Sequence, residues 1–169
     1  EALDSTTFDA NGSPTKIGTN QVARYAIHTH HLIGPESPQA NGFQYTLIGN
    51  VVDGGLSPRL EKWGITIHGS HDGLIQDNIV INYTGANIVT EDGSESFNLF
   101  DHNFSIQCPA FGALNTHDRG TAGTGFWFRG QNNYMRNNVA ADHAASGYSI
   151  NAYRLGNEST TIPVSQGSL

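Results

Sequence analysis

Histidine and carboxylate side chains recur at the ends of three short apolar runs. His28 and His30 alternate in the run YAIHTH, His68 ends the run ITIH, and Glu91 and Asp92 follow the run NIVT. Imidazoles and carboxylates are common general acids and bases in enzymes, and both bind metals. If the three runs are strands of one sheet, their alternation places these side chains on a common face. The sequence therefore predicts a site assembled from three separate segments.

The elements that must position these residues repeat along the chain. The pattern apolar-x-x-Asn-x-(apolar or small) occurs four times, and its asparagines are 28, 25 and 35 residues apart: Asn50, Asn78, Asn103 and Asn138. A second strand-like run precedes each block, as YAIHTH, GITIHG, ANIVTEDG and TGFWFRG, and a fifth run, GYSINA, follows the last block. Repeats of this length are typical of a parallel β-solenoid. We therefore predict an all-β fold, a parallel β-helix of about five coils.

The repeated asparagines have a physical reason in such a fold. Successive coils stack about 4.8 Å apart, so equivalent residues form columns. An asparagine at a tight corner tolerates a left-handed backbone, and its amide can pair with the asparagines above and below it. We therefore predict that Asn50, Asn78, Asn103 and Asn138 form a ladder along one corner.

The alternation of the runs also predicts which side chains share a column. Ile65 and Ile67 point into the core, and Thr66 and His68 point outward. Aligning the five runs gives one inward row, Ile27, Ile65, Ile88, Phe126 and Tyr148. It gives two outward rows, which are His28, Thr66, Val89, Trp127, Ser149 and His30, His68, Glu91, Arg129, Asn151. We expect the outward face to be exposed to solvent. Because the coil between residues 31 and 62 is irregular, His30 is expected up to one step further from His68.

Composition limits the partners and the organisation of the chain. Its 169 residues, with 20 glycines and only 14% charged residues, suit one domain of short strands and many turns. A formal net charge of −7 argues against binding nucleic acid or an anionic membrane, and no apolar run is long enough to span a bilayer. Cys108 is the single cysteine, so no intrachain disulfide is expected.

We interpret residues 1–169 as a single β-helix domain taken from a longer protein. Residues 1–20 are expected to form an irregular or capping segment, and residues 158–169 a polar tail. Both ends of a solenoid need covering, which predicts capping domains or self-association.

Three motifs resemble a known family. The segments RYAIHTHH (24–31), ITIHGSHDGLIQDN (65–78) and TEDG (90–93) are similar to motifs of the right-handed β-helix in the cell-migration-inducing hyaluronidase, its transmembrane relative and bacterial secreted β-helix proteins. The likeness runs from about Gly18 to about Gln107. Ala26 stands where that family usually has proline, and Thr29 where it has an aromatic residue. The resemblance implies a right-handed, secreted, carbohydrate-active β-helix whose partner is an acidic polysaccharide or oligosaccharide.

The residues of the predicted site support two kinds of chemistry. In the first, His30, His68, Glu91 and Asp92 supply the acid and base that break a glycosidic bond, by lysis or by hydrolysis. Substrate would be bound by residues able to grip a sugar carboxylate, stack on a sugar ring or hydrogen-bond to it: Arg24, Arg129, Trp127 and Asn151.

In the second, a divalent metal such as zinc, copper or nickel is held by His28, His30, His68 and Glu91. Calcium would instead favour the oxygens of Glu91, Asp92 and Glu95.

These two chemistries leave three classes of function. The chain is a polysaccharide-degrading enzyme, a metal- or carbohydrate-binding module without turnover, or a structural segment of a larger secreted protein. The five remaining histidines are interpreted as turn or surface residues: His31, His71, His102, His117 and His143.

Overall fold

A computed structural model of the chain describes residues 7–10, 14–16, 25–33, 42–55, 62–110 and 120–150. The regular elements within these ranges are all β-strands. Strands β1 (Thr7–Phe8) and β2 (Pro14–Lys16), which lie in the segment predicted to cap the fold, pair antiparallel. The other strands pair in parallel. In the described ranges there is no helix long and apolar enough to cross a membrane.

The parallel strands wind into coils of three strands each. The first coil contains β3 (Ile27–His30), β4 (Tyr45–Ile48) and β5 (Val51–Asp53). The second contains β6 (Ile65–His68), β7 (Gly73–Gln76) and β8 (Ile79–Ile81). The third contains β9 (Ala86–Thr90), β10 (Leu99–Asp101) and β11 (Phe104–Cys108). The fourth contains β12 (Thr124–Phe128), β13 (Tyr134–Arg136) and β14 (Val139–His143), and β15 (Ser146–Ile150) begins a fifth.

Stacking of the coils builds three parallel sheets. The first sheet has the order β3-β6-β9-β12-β15, the second β4-β7-β10-β13, and the third β5-β8-β11-β14. This arrangement is a parallel β-helix, which confirms the fold predicted from the repeats. The predicted register is also confirmed, because the pairings of the first sheet align the inward row Ile27, Ile65, Ile88, Phe126 and Tyr148.

The core lies between the three sheets and is filled by one inward residue after another. Ile65 and Ile67 from the first sheet meet Ile75 and Phe100 from the second and Val80 from the third, and all five are fully buried. Burying an aliphatic or aromatic side chain of this size contributes about 1.5–3 kcal/mol. The short strands are therefore stabilised by stacking and not by their own length.

The asparagine ladder is present. The Nδ2 atoms of Asn50, Asn78 and Asn103 donate to the Oδ1 atom of the asparagine one coil further on, at 2.8, 2.9 and 2.9 Å, ending at Asn138. The residue that adopts the left-handed backbone is not the ladder asparagine but the one before it. These preceding residues all have positive φ: Gly49, Asp77, His102 and Asn137.

A second ladder, which the repeat pattern did not reveal, lies at the corner between the first and second sheets. Asn98 Nδ2 donates to Asn133 Oδ1 at 3.0 Å, and Asn98 Oδ1 accepts from the Tyr45 hydroxyl at 2.7 Å and from the Gly73 N–H at 2.9 Å. Asn98 and Asn133 are 35 residues apart, the same spacing as Asn103 and Asn138. The two ladders hold the turns on both sides of the second sheet.

The middle of the outer face of the first sheet is buried, contrary to the prediction of a solvent-facing surface: Thr66, Val89 and Trp127 are buried, whereas His30 on the edge strand is exposed. Trp63 has a positive φ of 57° and lies over this face, with its ring 5.9 Å from that of Trp127. Its Nε1 donates to the carbonyl of Gly120 at 2.6 Å, and the Tyr25 ring stacks on the Trp63 ring with their centroids 5.1 Å apart. As a result Trp127 is only 1% exposed, and its ring, which was predicted to stack on a sugar, is covered in this structure.

Candidate functional site

The centre of the candidate site is His68, which ends β6 on the outer side of the first sheet. Its Nδ1 lies 3.2 Å from Glu91 Oε2, and its Nε2 lies 2.8 Å from Asp92 Oδ2. Glu91 directly follows β9, in the next coil, and its N–H bonds to the carbonyl of Ile67 at 3.0 Å. One imidazole ring therefore forms ion pairs with two carboxylates, one at each of its nitrogens.

This geometry sets the charge of the site. The contacts of His68 with Asp92 and Glu91 raise its pKa to about 10, against the opposing effect of burial. For Asp92, burial acts to raise the pKa, but the ion pair with His68 and the nearby Arg129 outweigh it and the pKa is lowered. At neutral pH the centre of the site is therefore an imidazolium between carboxylates.

The other histidines of the site surround the His68 ring. β3 pairs directly with β6 although Ile27 and Ile65 are 38 residues apart, so His30 lies beside His68, not one step further away as expected. The ring centroids of His30 and His28 lie 4.6 and 5.7 Å from that of His68. His31, which was interpreted as a turn residue, lies 5.0 Å away, because its φ of 54° ends the alternation of the strand.

Two groups of these side chains bring possible ligand atoms close enough together to hold a metal ion. One group is His28, His68 and Glu91, and the other is His30, His31 and His68; within each group the ligand atoms lie within 4.8 Å of one another. Three of the four predicted metal ligands, His28, His68 and Glu91, therefore form one group, and the fourth, His30, belongs to the other group. Imidazole nitrogens with one carboxylate suit zinc or copper. Because His68 belongs to both groups, a metal would compete with the proton that this ring holds.

The buried carboxylate of Glu95 supports the site from behind. Glu95 is fully buried; its Oε1 accepts the N–H groups of Gly69 and Asp92, both at 2.9 Å, and its Oε2 accepts that of Gly93 at 2.8 Å. Glu95, which was expected to be among the residues that favour calcium, thus directs both of its oxygens at backbone amides.

Of the two predicted substrate-binding residues that the structure describes, one reaches the site. Arg129 follows β12 next to Glu91, and its Nη1 donates to the carbonyl of Glu91 at 3.1 Å. Trp127 is buried in the aromatic cluster described above. Arg24 and Asn151 lie outside the described residues.

Two of the remaining histidines are less exposed than predicted. His71 is buried, its Nδ1 accepts the N–H of Ser96 at 3.1 Å, and its pKa is lowered by burial and by His31. The half-buried His143 lies 3.3 Å from the Ser105 hydroxyl, and burial lowers its pKa too. His102 is exposed, as predicted, and pairs with Asp77. His117 lies outside the described residues.

Fold and site together define a class: a parallel β-helix with a cluster of histidines and carboxylates on the outer side of one sheet. The family model described as CEMIP beta-helix matches residues 13–165, and the chain belongs to this family. It is similar to Fibrocystin-L of Mus musculus, with 32% identity over 128 residues. That match covers 76% of the chain but about 3% of the length of Fibrocystin-L. No solved structure matches the chain.

Proposed function

We propose that the chain binds and cleaves an acidic polysaccharide outside the cell, at the site formed by His68, Glu91 and Asp92. The observation that carries the proposal is the imidazole ring held between two carboxylates. The side chains of Glu91 and Asp92 are 23% and 15% exposed, so part of each faces solvent, while the Glu91 Oε2 and Asp92 Oδ2 atoms that face His68 are buried. The resemblance of the motifs to hyaluronidase-type β-helices supports the class of substrate, and membership of the CEMIP beta-helix family is consistent with it.

The chemistry follows from the charges of the three side chains. Cleavage of a glycosidic bond, by hydrolysis or by elimination, needs one group to accept a proton and another to protonate the departing oxygen. The lowered pKa of Asp92 keeps this carboxylate ionised, which is the form that can accept a proton, and the His68 imidazolium is the group that can donate a proton to the departing oxygen. The imidazolium of His68 and the guanidinium of Arg129 add positive charge beside the carboxylates, which favours binding of an acidic sugar.

The test uses the purified chain and oligosaccharides that contain uronic acids, such as those of hyaluronan. We expect shorter products by mass spectrometry, and Asp92→Asn should slow their formation by about 10²-fold or more. The control is His102→Ala, which removes an exposed histidine from another corner of the coil and should leave the rate unchanged. Absence of cleavage of every uronic-acid polysaccharide offered to the wild-type chain would refute the proposal.

A second candidate function is a metal-binding module without turnover, which is favoured by the two groups of ligand atoms that share His68. Titration calorimetry with zinc and with copper tests it. His68→Ala should weaken binding by about 10-fold or more, and binding should weaken as the pH falls below the raised pKa of His68, about 10, because the metal must displace the proton of this ring. Tight, His68-dependent metal binding without cleavage of any polysaccharide would favour this second function over the first.

A further inference from the structure

The carboxylate of Glu95 is buried in the turn between β9 and β10, where it meets three backbone N–H groups. A buried carboxylate is costly unless it is hydrogen-bonded, and these three N–H donors offset that cost. The adjoining Ser94 and Ser96 are buried as well. Glu95 is shielded from solvent by this turn and does not line the surface that a substrate would reach.

The three backbone amides that bind Glu95 come from the two coils that also supply His68 and Asp92. Gly69 directly follows His68 in the second coil, whereas Asp92 and Gly93 lie in the third coil. Gly69, with a φ of 52°, directly follows the end of β6 at His68, and Asp92 lies two residues beyond the end of β9, next to Gly93 with its φ of 90°. Strand pairing therefore sets the direction of His68 but holds neither the backbone that follows it nor the Asp92 side chain.

We infer that Glu95 is a positioning residue, which fixes the His68 imidazole and the Asp92 carboxylate against each other by binding the backbone next to each of them. The expected effect of Glu95 on turnover rests on the proposed function. Its consequence for the ion pair between His68 and Asp92 follows from the hydrogen bonds alone. Glu95 acts through these two residues and does not contact the substrate.

The test variant is Glu95→Gln, which keeps the shape of the side chain but replaces one acceptor oxygen with an amide NH₂ group. That group must face at least one of the three backbone N–H donors. The matched control is Asp101→Asn, which alters another buried carboxylate, one that pairs with Arg136 at 2.9 Å on the second sheet. Comparison of the two variants separates an effect on the site from a general loss of stability.

We expect three results for Glu95→Gln and none of them for Asp101→Asn. Amide hydrogen exchange should accelerate at Gly69, Asp92 and Gly93. The His68 imidazole pKa, followed by NMR, should fall because its ion pair with Asp92 is weakened. In the cleavage assay kcat should drop by about 10²-fold, as expected for a small misplacement of reacting groups, with KM little changed.

Unchanged amide exchange and an unchanged His68 pKa in Glu95→Gln would overturn the inference. If the wild-type chain cleaves no polysaccharide, the proposed function fails, and the exchange and pKa measurements still decide the positioning role. If Glu95→Gln does not fold, Glu95→Asp replaces it, because the shorter carboxylate keeps its charge but cannot reach all three amides. A wild-type His68 pKa in that variant would likewise overturn the inference.

Discussion

The ion pairs of His68 should make the stability of the fold depend on pH in a defined direction. The pKa of His68 is raised from 6.5 to about 10 by Asp92 and Glu91. A group whose pKa is raised in the folded state stabilises the fold fully below its unfolded pKa, and this stabilisation is lost as the pH rises through the folded value. The contribution is therefore complete near pH 6 and is lost progressively between about pH 6.5 and pH 10.

The size of this contribution is set by how well the site excludes solvent. Each unit of pKa change corresponds to about 1.4 kcal/mol, so the rise in the His68 pKa gives an upper bound of about 5 kcal/mol for its contribution to the free energy of unfolding. Water reaches the 23% and 15% exposed side chains of Glu91 and Asp92 and screens the interaction, so we expect about 2 kcal/mol. This is a substantial fraction of the stability of a typical domain.

The assay is urea unfolding of the wild type and of His68→Gln between pH 6 and pH 10, in the presence of a chelator. Because other groups titrate in both proteins, the informative quantity is the difference in their free energies of unfolding. We expect this difference to shrink by about 2 kcal/mol as the pH rises. A difference that stays constant over the range would refute the assigned ion pairs. His102→Gln serves as control, because its partner Asp77 lies in an exposed turn.

Two further predictions concern the solenoid itself. Asn78→Ala removes hydrogen bonds to Asn103, to Asn50 and to the carbonyl of Leu47, and it should lower the free energy of unfolding by about 2–4 kcal/mol. In the same denaturation assay Asn50→Ala should lower it less, because Asn50 is the partly exposed first residue of the ladder. Equal losses in the two variants would contradict the ladder. Ile67→Asp places an unpaired charge in the core and should abolish the cooperative unfolding transition seen by circular dichroism; a normal transition would contradict the in/out register.

Much of the architecture could be predicted from the sequence because a solenoid repeats its local rules. The pattern around Asn78 and Asn103 recurs in every coil, so it fixed both the ladder and the period. Alternation in ITIH then placed Ile67 inside and His68 outside. These features depend on local sequence and on the stacking of equivalent positions in successive coils, and both can be predicted from a single sequence.

The burial of the site could not be predicted in the same way, because it depends on residues outside the repeat. Trp63 covers the first sheet through a positive φ and a hydrogen bond to Gly120, which is 57 residues away. His31 joins the site through a backbone angle, and Glu95 faces backbone amides instead of solvent. The motif TEDG indicates Glu91 and Asp92 as site residues. It does not indicate that Glu95, two residues further on, binds the backbone behind them.

The most direct test of the account is a crystal structure of the chain soaked with a uronic-acid oligosaccharide and, in a separate crystal, with zinc. We predict sugar density across Glu91 and Asp92, with the sugar carboxylate within hydrogen-bonding distance of Arg129 or His68. Density for zinc at His28, His68 and Glu91, with no sugar bound near Asp92, would contradict the proposed cleavage site and favour the metal-binding module.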